Sequence, residues 1–172
     1  MRQFLTIAIS FFVLSGCVTG TPGDLQPVQN FDVERYSGTW YEVYRLDHPF
    51  ERGLSDVTAT YTLEDDGSVK VENEGMREDG SMSYIAGRAE FQGEPTVGSL
   101  KVSFFGPFFS GYHVIALDQE NYDYAMVAGG TFDYLWILSR TPDLDEGVLD
   151  MLLMQAEDAG YQIEDLILVG QS

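Results

Sequence analysis

From Phe31 onward, short runs of β-branched, aromatic and alternating apolar residues are separated by clusters that favour turns. The runs lie near 39–47, 56–63, 68–74, 83–91, 98–105, 111–118, 123–129 and 133–139. Between them stand EDDGS (64–68), REDGS (77–81), QGEPTVG (92–98) and DQENYD (118–123), each rich in Asp, Gly, Asn or Pro. Eight such runs at spacings of roughly 8–15 residues predict an antiparallel meander, closed into a barrel or folded into a sandwich. The period then changes. In TPDLDEGVLDMLLMQAEDAGY (141–161), Val148, Met151, Leu152, Gln155 and Ala159 recur at helical spacing. Pro142 stands near the start of this helix and Gly160 near its end, and Asp143 with Glu146 fits a capping box. A helix with one apolar face must cover something, most simply the outside of the sheet. A last short run, LILVG (166–170), is placed to pair beside the first strand.

Strand alternation predicts which side chains point inward. Trp40, Glu42, Tyr44 and Leu46 share a face in the first strand, Thr58, Thr60 and Thr62 in the second, and Leu100, Val102 and Phe104 in the fifth. Tyr112, Val114 and Ala116 do so in the sixth, and Tyr134, Trp136 and Leu138 in the eighth. An eight-stranded barrel is either filled by such side chains or keeps room for one small ligand. Hydroxylic residues beside large aromatics suit a lined cavity, whereas a filled core favours Leu, Ile and Val. Glu42 stands apart: an inward carboxylate has to be paired, hydrogen-bonded or neutral.

The amino-terminal pattern is of another kind. Arg2 precedes an uncharged apolar run from Phe4 to Leu14, ending in Ser15 and Gly16. This is the pattern of a secretory signal peptide, too short to span a bilayer comfortably. The only cysteine, Cys17, follows at once. LSGC resembles a bacterial lipobox, which implies cleavage after residue 16 and lipidation of Cys17. Val18 in place of an Asp then favours sorting to the outer membrane. TGTPGDLQPVQ (19–29) reads as a flexible tether, and 30–172 as one domain without disulfides.

Charge narrows the partners. With 28 acidic against 9 basic residues the net charge is −19, and there is no basic stripe for nucleic acid. No G-x-S-x-G or phosphate loop occurs, and His48 and His113 lack metal-ligand spacing. No catalytic constellation stands out, and neither enzymatic activity nor a cofactor is expected. His113 would be the one haem ligand near the mouth, but alternation turns it outward.

Two motifs add a resemblance. NFDVERYSGTWYEV (30–43), with Gly38 and Trp40 as G-x-W, and YLWILSRTP (134–142), with Arg140, resemble the first and last lipocalin motifs. DQENYDYAMV (118–127) is similar to the middle motif but lacks its Thr-Asp-Tyr triplet. FERGL, VTATY, LKVSFFGPF and GYHVIALD resemble the bacterial outer-membrane lipocalins related to apolipoprotein D. The resemblance implies an eight-stranded up-and-down β-barrel with a short ninth strand and one carboxy-terminal helix outside. It implies a 3₁₀ turn at 31–36 across the closed end, with Gly38 bending the chain, Trp40 lying on the barrel floor and Arg140 covering the indole. The open end would be rimmed by loops near 47–55, 75–83, 103–111 and 129–132. The Phe-rich third loop reads either as strand residues or as an apolar rim touching lipid or a second subunit of a homodimer. The family carries small hydrophobic molecules, and the subgroup is associated with fatty acids and lysophospholipids. Tyr44, Thr60, Tyr112, Val114, Tyr134 and Trp136 are the candidate lining residues. A quinone or pigment cargo, and a filled barrel with a structural or protein-binding role, remain the alternatives.

Overall fold

The computed structural model describes residues 18–171; the signal-peptide region and Cys17 lie outside the described residues. A single helical turn, α1 (Val33–Tyr36), leads into β1 (Gly38–Leu46). Then follow β2 (Leu54–Leu63), β3 (Val69–Arg77), β4 (Met82–Phe91), β5 (Ser99–Phe105), β6 (Phe108–Leu117), β7 (Tyr124–Ala128) and β8 (Leu135–Ser139). α2 (Glu146–Asp158), a 3₁₀ turn at Ile163–Asp165 and β9 (Leu166–Leu168) complete the chain. From β1 to β8 each strand pairs antiparallel with the next, and β1 pairs with β8 as well as β2, which closes an eight-stranded barrel. Closure leaves no free edge among these eight strands.

The closing seam is uneven. β1 meets β2 only over 38–41, and β9 takes over the same edge at 44–46. Gln171 fastens this splice by donating to the carbonyls of Glu42 and Val57. The expected short last strand beside the first is thus present, filling the gap where β2 leaves β1.

The apolar residues divide into two layers. Trp40, Tyr61, Val71, Leu100, Val114 and Val127 fill the inside. Leu46, Met126, Leu135, Ile137, Leu152 and Ala156 form a second layer between the wall and α2. The helix begins later than the capping-box pattern suggests. Asp145 is its cap, accepting from the N–H groups of Gly147 and Val148. It ends at Gly160, with Tyr161 N–H bonded to the Ala156 carbonyl at 3.0 Å. Met151 is partly covered and Met154 is exposed.

Two other expectations are corrected. The turn at the closed end is α-helical rather than 3₁₀: Tyr36 N–H donates to Asp32 O and Ser37 N–H to Val33 O, four residues back, while the Asp32 side chain caps it by accepting from the N–H groups of Glu34 and Arg35. The segment expected to be a loose tether lies on the barrel wall. Val28 N–H donates to Val114 O, Gly98 N–H to Val28 O, and Gln92 Nε2 to Thr19 O. His113 does face outward, bonded to Ser99 and sealed beneath this segment, and its burial lowers its pKa.

Candidate functional site: a barrel closed at one end

The closed end is built around Gly38, Trp40 and Arg140. Gly38 turns the chain into β1 at φ +97°, a conformation that suits glycine. Trp40 is fully buried, and its indole N–H donates to Tyr36 O at 2.8 Å. The Arg140 guanidinium lies 3.8 Å from the centre of the indole. Its N–H groups reach the carbonyls of Arg35, Tyr36, Ser37, Thr39 and Tyr122 at 2.8–3.2 Å. One side chain therefore ties α1, β1 and the β6–β7 turn together. Arg35 adds a second tie, donating to Gln119 O and Glu120 O of that turn and stacking on Tyr122.

Above the floor stand three tyrosines. Tyr36 and Tyr112 share a hydroxyl hydrogen bond of 2.7 Å, and Tyr112 donates to Tyr61 at 2.8 Å. Burial pushes all three phenols above their ordinary pKa, so each remains a neutral donor. The space left between them, Phe31, Val71 and Leu100 is about 10 Å³. That is no more than one water takes up. The floor half of the barrel is solid.

The other half differs. Val102, Phe104, Tyr112 and Trp136 belong to the inner layer but are only half-buried. Asn73, directly opposite the inward Ala59, has its side-chain oxygen buried without a protein partner. Inward residues that stay accessible in a closed barrel mark a lumen open at the end away from Trp40. From Tyr112 to Phe108 at the rim the wall runs four residues, about 13 Å of strand at 3.3 Å each. A strand tilt of 35–45° shortens this to about 10 Å of depth.

A buried ionic cluster lines one side of this lumen. Arg45 donates to Glu42 at 2.8 Å and to the carbonyl of Glu51 at 2.7 Å. Glu51 accepts from the Trp136 indole at 3.0 Å and lies 2.9 Å from His48 Nε2. The His48 approach is within ion-pair distance but too bent for an aligned hydrogen bond. His48 also packs against the rings of Tyr134 and Trp136, which stack on one another. Burial, and then the neighbouring Glu51, raise the Glu42 pKa well above the usual carboxylate range despite Arg45. Burial works the same way on Glu51, but the contacts with His48, Trp136 and Arg45 outweigh it and hold that carboxyl below the range. The pair is one carboxyl biased towards neutral beside one biased towards the anion.

The expected lining residues separate accordingly. Tyr112, Val114, Tyr134 and Trp136 are inside. Tyr44 and Thr60 are not. The register of β1 against β8 shifts between Glu42 and Tyr44, so beyond this bulge Tyr44 and Leu46 turn outward under α2 and Arg45 turns in. A shift between Val114 and Ala116 likewise sends Ala116 to the outer layer. In β2 the inward row is Val57, Ala59 and Tyr61, and Thr60 faces solvent against Thr39. Arg45 and Glu51 were not among the expected site residues. The sequence shows only that charged residues stand beside an aromatic-rich loop, and nothing in it announces the bulge. A shallow groove of about 390 Å³ between Asn30, Leu117, Gln119 and Met151 lies on the outer wall, away from this lumen. Among the described residues no group of three or more His, Cys, Asp or Glu is placed to hold a metal ion.

Known proteins share this construction. Residues 31–171 match the family model described as a lipocalin-like domain. The chain is 46% identical over 172 residues to the outer membrane lipoprotein Blc of Vibrio cholerae, covering 99% of each chain. It is 49% identical over 173 residues to the protein of that name from Escherichia coli, covering 99% of this chain and 97% of the other. Insecticyanin from the tobacco hornworm superposes with a TM-score of 0.70 at 22% identity, covering 90% of this chain and 88% of that one, and so speaks for the fold alone. With its barrel, its stacked tryptophan and arginine, and these relatives, the chain belongs to the lipocalin-like family.

Proposed function

We propose that this protein is a lipocalin of the bacterial outer membrane, anchored by acyl groups on Cys17 with its domain in the periplasm, that binds a fatty acid or lysophospholipid for storage or transport of envelope lipid. The observation that carries the ligand reading is the half-buried inner row Val102, Phe104, Tyr112 and Trp136 above a sealed floor. An acyl chain lowered through the mouth would lie along this row, Tyr134 and the upper part of Tyr112, and stop at the tyrosine hydroxyls. Its head group would stay beside Arg45, His48 and Glu51. The names of the Vibrio and Escherichia relatives support the envelope location.

Burying one CH₂ is worth about 0.8 kcal/mol, so each two carbons should tighten binding roughly tenfold while they enter the lumen. Because the floor half is full, the gain should level off once the open half is occupied. Lipid extraction from the purified protein, followed by mass spectrometry and displacement of a fluorescent fatty acid by a chain-length series, tests this. Co-purified acyl lipid, with affinity rising to a plateau, is the expected result. No lipid and no displacement would overturn it and favour a filled barrel with a structural role, to which the solid lower half lends some weight.

A further inference from the structure

The buried charges beside the lumen do not balance among themselves. Glu42 and Glu51 set two carboxyls against the single guanidinium of Arg45, which donates to Glu42 Oε1 at 2.8 Å and to the backbone carbonyl of Glu51 at 2.7 Å. Arg45 is 1% exposed, Glu42 3% and Glu51 9%. Water screens none of them well, and two like charges in such a site are costly. Burial first, and then Glu51 as both a nearby charge and a hydrogen-bond partner, favour the protonated form of Glu42. A hydrogen bond between two carboxyls needs one proton between them.

The other groups around the pair come from the neighbouring strands and the β1–β2 loop. β2 brings the Tyr61 phenol, which feels both carboxyls, and Asp56 in its bulge, which accepts from Ser55 Oγ. The loop brings His48, whose Nδ1 is buried without a protein partner. Asp47 and Arg52 of that loop pair with each other in solvent. β8 brings the Trp136 indole, which donates to Glu51 Oε2 at 3.0 Å, and Tyr134 just ahead of it packs on His48. Among these inward groups Arg45 alone carries a permanent positive charge. The pair also stands where a head group would, because Trp136 is half-buried on the lumen wall. A ligand that covers Trp136 removes the water left around Glu51 as well.

We propose that Glu42 and Glu51 determine which head group the lumen accepts: an anionic acyl lipid binds only while the pair holds a proton, and takes one up where the pair is ionised, whereas a neutral acyl lipid binds with no proton. This rests on the reading that the lumen takes acyl lipid, and it specifies the charge of the lipid taken. With one proton on the pair, Arg45 balances the remaining carboxylate, and an incoming anion meets no net charge. With both carboxyls ionised, it meets a net negative charge and is repelled. The anion in turn strengthens the hold on the proton, and the coupling is reciprocal. Affinity for an anionic lipid therefore falls as pH rises through the folded pKa of Glu42.

Isothermal titration calorimetry of the purified protein tests this with two probes of one acyl length. Lysophosphatidylglycerol is anionic at every pH used, and monoacylglycerol is neutral throughout. Each is titrated from about pH 5 to about pH 9 in two buffers of different ionisation heat, which counts the protons taken up. Lysophosphatidylglycerol should weaken at least about tenfold over this range, with tenfold per pH unit as the limit for one linked proton, while monoacylglycerol changes by less than about twofold. Proton uptake with the anionic lipid should rise towards one on the alkaline side. These wild-type measurements decide the matter without a variant. Glu42→Gln, shown to be folded by its melting, should bind lysophosphatidylglycerol with an affinity independent of pH, and His48→Asn should keep the pH dependence. The same pH dependence for both lipids, or none for either, overturns the inference and leaves the acyl-lipid reading standing. A pH dependence that survives Glu42→Gln and disappears in His48→Asn gives the proton to the imidazole and also overturns it. No binding of either lipid at any pH overturns the acyl-lipid reading and the inference with it.

Discussion

The two ends of the barrel treat polar groups in opposite ways. At the floor, the Arg140 guanidinium reaches five backbone carbonyls and the Trp40 indole has its own acceptor. Towards the mouth, Arg45 Nε and His48 Nδ1 are buried without a protein partner, and large apolar side chains are left in solvent. Buried polar groups are normally satisfied, and leaving one unpaired costs about 1–3 kcal/mol. One end is built for stability. The other is held open at some cost, as a site that receives a ligand has to be.

Substitutions at the two ends should therefore separate stability from binding. The largest effect is expected at the floor. Trp40→Ala should lower unfolding free energy by about 3–5 kcal/mol, as for deleting a buried aromatic. Arg140→Ala should cost about 3 kcal/mol or more by leaving several carbonyls unpaired. Denaturant melts of both variants check this, and midpoints equal to wild type would break the distinction. Next comes the mouth. Trp136→Ala should weaken acyl-ligand binding roughly 10- to 100-fold, the worth of a large apolar contact, measured by displacement at matched folding. Equal losses of binding from Trp136→Ala and from an outward substitution such as Tyr44→Ala would contradict it.

A smaller effect lies between the ends. Tyr112→Phe removes the hydroxyl joining Tyr36 to Tyr61 and should cost about 1–2 kcal/mol. The buried carboxyl Glu42 gives a pH signature. Its folded pKa is raised above the ordinary 4.5. The folded protein thus holds this proton more tightly than the unfolded chain does. Its contribution to stability is present below about pH 4.5 and is lost as pH rises from there through the folded pKa. Glu42→Gln should flatten this loss, and unchanged slopes of melting temperature against pH would contradict it. The smallest change is expected for Thr60→Ala. Thr60 faces solvent, so stability should stay within about 0.5 kcal/mol of wild type and ligand affinity should not move.

The strand series, the outer helix and the pairing of Trp40 with Arg140 were legible because each leaves a local mark. Alternation, a change of period and two short motifs carry them. The lumen was legible only in part, and the reasons are specific. A one-residue bulge after Glu42 reverses every later side chain of β1, which exchanges Tyr44 for Arg45 on the inner face. In β2 alternation separates two rows, and the row Thr58, Thr60 and Thr62 was assigned to the inside, yet the alternate row Val57, Ala59 and Tyr61, wholly apolar or aromatic, takes the interior. The docking of residues 18–29 depends on a backbone approach to Gly111 and Gly130, far along the chain. Composition alone made that segment look like a linker.

The two tryptophans stand one at each end, which makes a direct measurement available. A fatty acid brominated along its chain quenches only an indole that it reaches. Bound to wild type it should quench the Trp136 emission, and in Trp136→Phe, which leaves Trp40 as the sole indole, it should still bind by displacement yet quench almost nothing. Strong quenching of Trp40 would place the acyl chain at the floor and contradict a barrel that is solid at one end and open to ligand at the other.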